Sequence, residues 1–256
     1  MKKILAILNT LAILGMIAVN GAAGAGGING NTVGSISNKY DTLFAPAGYA
    51  FSIWSIIYLG LIAFAGFQLI RAFKNDKDSG FIFQIGPWMI VNSVANTLWI
   101  FAWLNEYIGV SLILMLVILT SLLVMIIRLD MRRWEAPFPI RALVWWPIGI
   151  YSGWIAVATI ANVAAYFVSI EWLSLFSAVN WTAIMLVVAI VLNLLILFFR
   201  DMREFAAVGI WALLAIAIRQ WDVIPLIQWT ALSGVVILSV AILFHVYRKG
   251  ITNPGI

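Results

Sequence analysis

The chain has no cysteine, which excludes disulfides, thiolate metal sites and thiol redox chemistry. It has a single histidine, His245, so a metal site would have to be built from carboxylates, and the acidic residues do not cluster along the sequence. Charge is scarce: 10% of residues are charged, against about 25% in soluble domains. The apolar segments carry no nucleophile–base pair and no paired carboxylates, so the chain offers no catalytic residues of the familiar kinds. What it has in abundance is apolar surface, with 64% hydrophobic residues and a mean hydropathy of +1.06. A chain this apolar could not cover itself in water. A bilayer solves that problem but requires every backbone polar group to be satisfied internally, which leaves helices or closed barrels. The apolar runs are about 20 residues long rather than short and alternating, so the expected fold is all-α, a polytopic membrane helix bundle.

Eight spans are expected, at 4–22, 47–72, 84–104, 107–127, 141–168, 176–199, 204–221 and 227–247. The joints hold the charges and breakers, including Lys74-Asn75-Asp76-Lys77-Asp78, Arg132-Arg133-Trp134-Glu135 and Arg200-Asp201-Met202-Arg203. The first loop, 23–45, is rich in Gly, Asn and Ser. With the N-terminus placed in the cytoplasm, every basic residue except Lys39 and Arg219 falls on the cytoplasmic side. This is the positive-inside pattern, and it places the C-terminus inside as well. The net charge of +5 therefore reads as topology rather than as a nucleic-acid surface. The start, Met1-Lys2-Lys3 followed by an apolar run and Gly21-Ala22-Ala23-Gly24-Ala25, fits a retained first helix or a cleaved signal peptide. The absence of an Arg- and Ser-rich leader points to a bacterial plasma membrane.

The 13 tryptophans divide by depth. Trp88, Trp103, Trp134, Trp172, Trp221 and Trp229 lie near span ends, where indoles favour the headgroup level. Trp54, Trp99, Trp154 and Trp211 lie deeper and need a partner for the indole N–H. Helical spacing gathers Phe51, Trp54 and Tyr58 on one face of the second span. It does the same for Asn92, Asn96, Trp99 and Trp103 on the third, and for Tyr151, Trp154, Ala158 and Asn162 on the fifth, with Thr159 alongside. A mid-membrane amide is costly unless it is bonded. The stripes are read in two ways: as contacts that join helices, or as the walls of a shared cavity for a planar, partly polar ligand. Arg219 either snorkels to the interface or lines an anion path. His245 is expected at the interface.

Three motifs carry a family resemblance. They are Phe44-Ala45-Pro46-Ala47-Gly48-Tyr49-Ala50-Phe51 followed by Trp54 and Tyr58, then Asn96-Thr97-Leu98-Trp99 with Phe101 and Trp103, and last Tyr151, Trp154, Ala158-Thr159 and Asn162. In this order, residues 1–168 resemble the TspO/translocator-protein family, the tryptophan-rich sensory proteins once called peripheral benzodiazepine receptors. Ser52-Ile53 stand where the family often has a second proline, and Ile100-Phe101 where a proline often follows the third-helix motif. The family has five helices, so residues 169–256 read as a C-terminal three-helix membrane extension.

The resemblance implies a pocket inside the five helices, capped by the first loop. By matched motif its residues would be Trp54, Asn96, Trp99, Trp154 and Ala158, with Tyr151, Thr159 and Asn162 nearby. It implies porphyrin ligands, protoporphyrin IX or haem, or other small hydrophobic ligands, with no required cofactor. It further implies a retained first helix, a homodimer and, at most, light-dependent porphyrin breakdown as an activity. The expected function is a membrane binding or sensory protein; the alternative is a small transporter of tetrapyrroles or organic anions.

Overall fold

The computed structural model describes residues 1–26, 28–74, 79–172 and 176–252. Asn75, Asp76, Lys77 and Asp78 of the second joint lie outside the described residues, as do the side chain of Lys249 and residues 253–256. Apart from an isolated bridge between Ile28 and Asn31, every regular element among the described residues is helical. Each expected span is a helix. In chain order the elements are α1 (Lys2–Gly24), a short α2 (Val33–Lys39) in the first loop, and α3 (Ile53–Phe73), entered through a 3₁₀ turn at Gly48–Ser52. Then come α4 (Phe81–Ile85), α5 (Trp88–Leu104), α6 (Ile108–Arg128) and the single turn α7 (Phe138–Ile140). The chain ends with α8 (Trp146–Ser169), α9 (Ala178–Arg200), α10 (Arg203–Arg219) and α11 (Pro225–Thr252).

Local chemistry sets the boundaries. Gly86 has φ +55°, which a side chain would resist, and Pro87 follows it, so the third span is split into α4 and α5. Pro147 has no N–H to donate and its ring crowds the preceding turn. The chain widens there into a π turn over Arg141–Trp145 before α8 settles into regular geometry.

Among the described residues, six helical segments are long and apolar enough to cross a membrane: Lys2–Gly24, Gly48–Phe73, Ile108–Arg128, Phe138–Ser169, Ala178–Arg200 and Pro225–Arg248. The other two expected spans, α5 and α10, have 17 residues each, about 26 Å at 1.5 Å per residue. Both bury one or more faces against other helices, while α5 leaves Val91, Val94, Leu98 and Phe101 exposed on its outer face. α5 is buried along Met89, Asn92, Asn96, Trp99 and Trp103, and α10 along Phe205, Val208, Gly209, Ala212 and Ile216.

The helices α1, α3, α8, α6 and α5 form a closed ring, each packed on the next and α5 back on α1. α1 is a full member of this ring: Ala6, Asn9, Ile13, Met16, Asn20 and Ala23 are buried. α10 packs on the outside of α8, and α9 and α11 pack on α10. The α8–α10 contact is close because Gly153 has no side chain. A Cβ there would sit 3.0 Å from the Phe205 carbonyl oxygen and 3.2 Å from its Cα.

The two ends of the bundle differ. At one end lie Lys2, Arg128, Arg132, Arg200 and Arg203, cross-linked by Lys2 Nζ donating to Ser79 Oγ at 2.7 Å and by Arg132 paired with Glu204 at 2.6 Å. His245 is buried at this end, paired with Asp201 and accepting from Arg203 Nε, rather than lying open at the interface. At the other end lie the first loop, the α5–α6 turn and the end of α10, with Lys39 and Arg219 as the basic residues.

Candidate ligand crevice

The crevice opens at the loop end, between α3, α5 and α8. The entry to α3 contributes Phe51 and Trp54, and α5 contributes Trp99 and Trp103. One face of α8 contributes Trp154, Val157, Ala158, Ala161, Asn162 and Ala165. The first loop closes it with Val33, Ser37, Thr42 and Pro46. Small residues recurring at steps of three and four along α8 leave the space, and the rings around them give it flat walls. Its cavity volume is about 50 Å³, while the atom-free space counted with its open mouth is about 610 Å³. Among the described residues, no charged side chain lines it.

The rings form a connected set. Trp54 stacks on Tyr58 at 5.4 Å and meets Trp154 edge-on at 6.4 Å, Phe51 meets Trp154 edge-on at 6.1 Å, and Trp99 stacks on Trp103 at 5.7 Å. Their N–H groups divide into two kinds. Trp99 Nε1 donates to Asn162 Oδ1 at 3.0 Å, and Trp103 Nε1 to the Val33 carbonyl at 3.2 Å. Among the described residues, the indole N–H groups of Trp54 and Trp154 have no acceptor. The crevice therefore offers apolar planes and two unclaimed donors to an occupant.

Of the expected site residues, Trp54, Trp99, Trp154, Ala158 and Asn162 line the crevice. Asn96, Tyr151 and Thr159 do not. Asn96 is fully buried, accepts from Asn20 Nδ2 at 2.8 Å and donates to Tyr151 Oη at 2.9 Å, tying α1, α5 and α8 together. Thr159 Oγ1 donates to the Ile155 carbonyl of its own helix at 2.7 Å. Asn162 belongs to both sets: it lines the crevice, accepts from Trp99, and donates to Ser111 Oγ on α6 at 3.0 Å. Asn92 donates to Ser121 Oγ at 2.9 Å and joins α5 to α6. The two readings of the stripes thus separate only in part: Asn92 and Asn96 join helices, the indoles wall the crevice, and Asn162 with Trp99 does both. Trp103 belongs with the walls, not with an interfacial belt, and is only 5% exposed.

The first loop is held from two sides. Thr32 and Ser35 form a reciprocal cap that starts α2. Toward the α5–α6 turn, Asn31 Nδ2 donates to the Leu104 carbonyl at 3.2 Å, and Lys39 pairs with Glu106 at 2.6 Å. The Lys39 ammonium holds the Glu106 carboxyl below its usual range, and Glu106 raises Lys39 in return. Toward α10, Arg219 meets Asn38 and Asp41. It therefore neither snorkels freely nor lines the crevice. Of the lining, Thr42, Ser37 and Val33 carried no sequence signal beyond belonging to a Gly-, Asn- and Ser-rich loop.

Compared with models of known protein families, the chain matches the one described as TSPO-like protein over residues 6–244. The match runs through the three C-terminal helices as well as the five-helix ring. No curated protein and no solved structure matches the chain.

Proposed function

The chain belongs to the TSPO-like family, and from that membership and the crevice we propose that it is an integral membrane binding or sensory protein for planar, mainly apolar ligands of the porphyrin kind. The observation that carries this reading is the pair of unclaimed indole donors, Trp54 and Trp154, at the wall of a crevice otherwise made of rings and small side chains. Neither Nε1 atom is sealed from its surroundings, so both are open to a ligand bearing ring nitrogens or carbonyls. Flat ligands also gain from stacking on the indoles. With no cation in the lining, any carboxylate on the ligand belongs at the mouth, not at the floor. The resting cavity of about 50 Å³ is smaller than a macrocycle, so binding requires the loop to move outward.

Two further features fit this reading. The basic end of the bundle faces the cytoplasm by the positive-inside argument, which turns the crevice mouth to the opposite side. Transport of an organic anion draws no support from Arg219, whose guanidinium is engaged with the loop.

The test is a titration of the purified full-length protein with protoporphyrin IX, followed by tryptophan quenching. Ala158→Phe fills the crevice without removing a hydrogen bond, and Trp154→Ala removes a wall. Both are expected to lower affinity at least tenfold. Equal affinity in wild type and both variants would place the ligand elsewhere.

A further inference from the structure

Of the three C-terminal helices, α10 reaches the crevice from outside: besides packing on α8, it bonds to one short segment of the first loop. Thr42 and Pro46 in that segment form part of the crevice wall. Between Tyr40 and Ala47 the chain has no regular helix, so its shape depends on what holds it. The last turns of α10 supply that hold. Arg219 Nη1 donates to Asn38 Oδ1 at 2.9 Å and to the Pro46 carbonyl at 3.5 Å, and Nη2 donates to Asp41 Oδ1 at 3.0 Å. Gln220 Nε2 donates to the Leu43 carbonyl at 3.1 Å. Ala47 N donates to the Ala215 carbonyl at 3.1 Å, and Trp211 Nε1 to the Ala50 carbonyl at 3.1 Å.

We propose that α10 is the clamp of the crevice mouth. Arg219 and Gln220 are positioning residues that hold the 41–47 segment closed, and the C-terminal helices thereby set how fast a ligand enters and leaves. The proposal rests on the ligand reading of the crevice. The resting cavity is too small for a macrocycle, so each entry or exit must displace a wall. The wall on the α5 and α8 side consists of membrane helices bonded to their neighbours, whereas the 41–47 segment is an irregular strap. For it to lift, the bonds from α10 must break and the packing of the buried Phe44 and Ala45 must open.

The chemistry ranks the contacts. Asp41 is 81% exposed and Arg219 21% exposed, so their ion pair is wet and weak. The guanidinium matters because its planar fork reaches the Asn38 side chain, the Asp41 carboxylate and the Pro46 carbonyl together. A lysine keeps the charge but cannot reproduce the fork. Removing the guanidinium should therefore matter more than removing Asp41, and lysine should fall between.

The test uses the full-length protein in lipid nanodiscs, with protoporphyrin IX as probe and stopped-flow tryptophan quenching as readout. In Arg219→Gln both the association and dissociation rates are expected to rise roughly fivefold, the scale of one or two partly exposed ionic hydrogen bonds. Kd then shifts less than either rate. Arg219→Lys should give an intermediate effect, and Asp41→Asn a smaller one than Arg219→Gln. Hydrogen exchange of the ligand-free protein is the second arm: Arg219→Gln should speed exchange across 41–50 and leave the amides of α9 unchanged. Unchanged rates, or a slower association with unchanged dissociation, would overturn the clamp. If the wild type shows no saturable quenching, the ligand reading fails, and the exchange arm alone decides the clamp. Unaltered exchange across 41–50 would then overturn it.

Discussion

Replacing Asn96 by leucine separates the joining role of the amides from the binding role of the indoles. Asn96 is fully buried, and its side chain links Asn20 of α1 and Tyr151 of α8 at 2.8 and 2.9 Å. An interhelical hydrogen bond within a membrane averages about 0.6 kcal/mol and reaches about 1.7. The substitution also strands the buried Tyr151 hydroxyl, which adds about 1–3 kcal/mol. Asn20 keeps its second acceptor, the Met16 carbonyl at 2.9 Å, and so is not stranded. The expected loss of stability is about 2–4 kcal/mol. Tyr151→Phe in the same background removes the stranded hydroxyl, so the double variant should be more stable than the sum of the single losses implies, by about 1 kcal/mol. Unfolding in mixed micelles with increasing SDS, followed by circular dichroism, measures both. Protoporphyrin IX affinity, measured where the variant is still folded, should stay within about threefold of wild type, since Asn96 does not line the crevice. The reasoning fails if Asn96→Leu abolishes binding while stability is unchanged.

Further outcomes follow from other parts of the bundle. Gly153→Val should push α8 away from α10 and destabilise the protein by about 1–3 kcal/mol in the same unfolding assay, because the new Cβ meets the Phe205 backbone at 3.0 Å. The Lys39–Glu106 tie should respond to pH at both extremes. Glu106 is depressed below 4.5 by Lys39, so its contribution is present at neutral pH and lost as pH falls through that lowered value. Lys39 is raised above 10.5 by Glu106, so its contribution is lost only as pH rises past that raised value. Protection of the α2 amides, taken relative to their intrinsic exchange rate at each pH, should accordingly be flat across the neutral range and fall at both ends, and Glu106→Gln should abolish the acid limb. Because the chain has no cysteine, single introduced thiols report sidedness cleanly. In intact cells a membrane-impermeant maleimide is expected to label Ser37→Cys and to spare Glu135→Cys; the reverse pattern would invert the proposed topology.

The helices were legible in the sequence because hydropathy and helical spacing act locally. The expected spans match the helices to within a few residues, although the span expected at 84–104 runs across the break at Gly86-Pro87 that divides α4 from α5. The amides were harder to read. Asn96 and Trp99 share a face of α5, yet one bonds across to α1 and α8 while the other walls the crevice. No spacing rule distinguishes them, because the difference lies in which helix stands opposite. The same holds for Arg219, whose partners are Asn38 and Asp41, far earlier in the chain. The two shorter helices, α5 and α10, met a milder limit. Their apolar runs read as spans, but coverage by neighbouring helices cannot be seen from one helix alone.

The central claim is that the indole-walled crevice holds a planar ligand. Titration of the wild-type chain in nanodiscs with protoporphyrin IX, set against empty nanodiscs of the same lipid, tests it most directly. The account predicts a saturable component absent from empty discs, with tryptophan quenching that reaches a plateau at one porphyrin per chain. Linear, non-saturating uptake equal to that of the empty discs would contradict it.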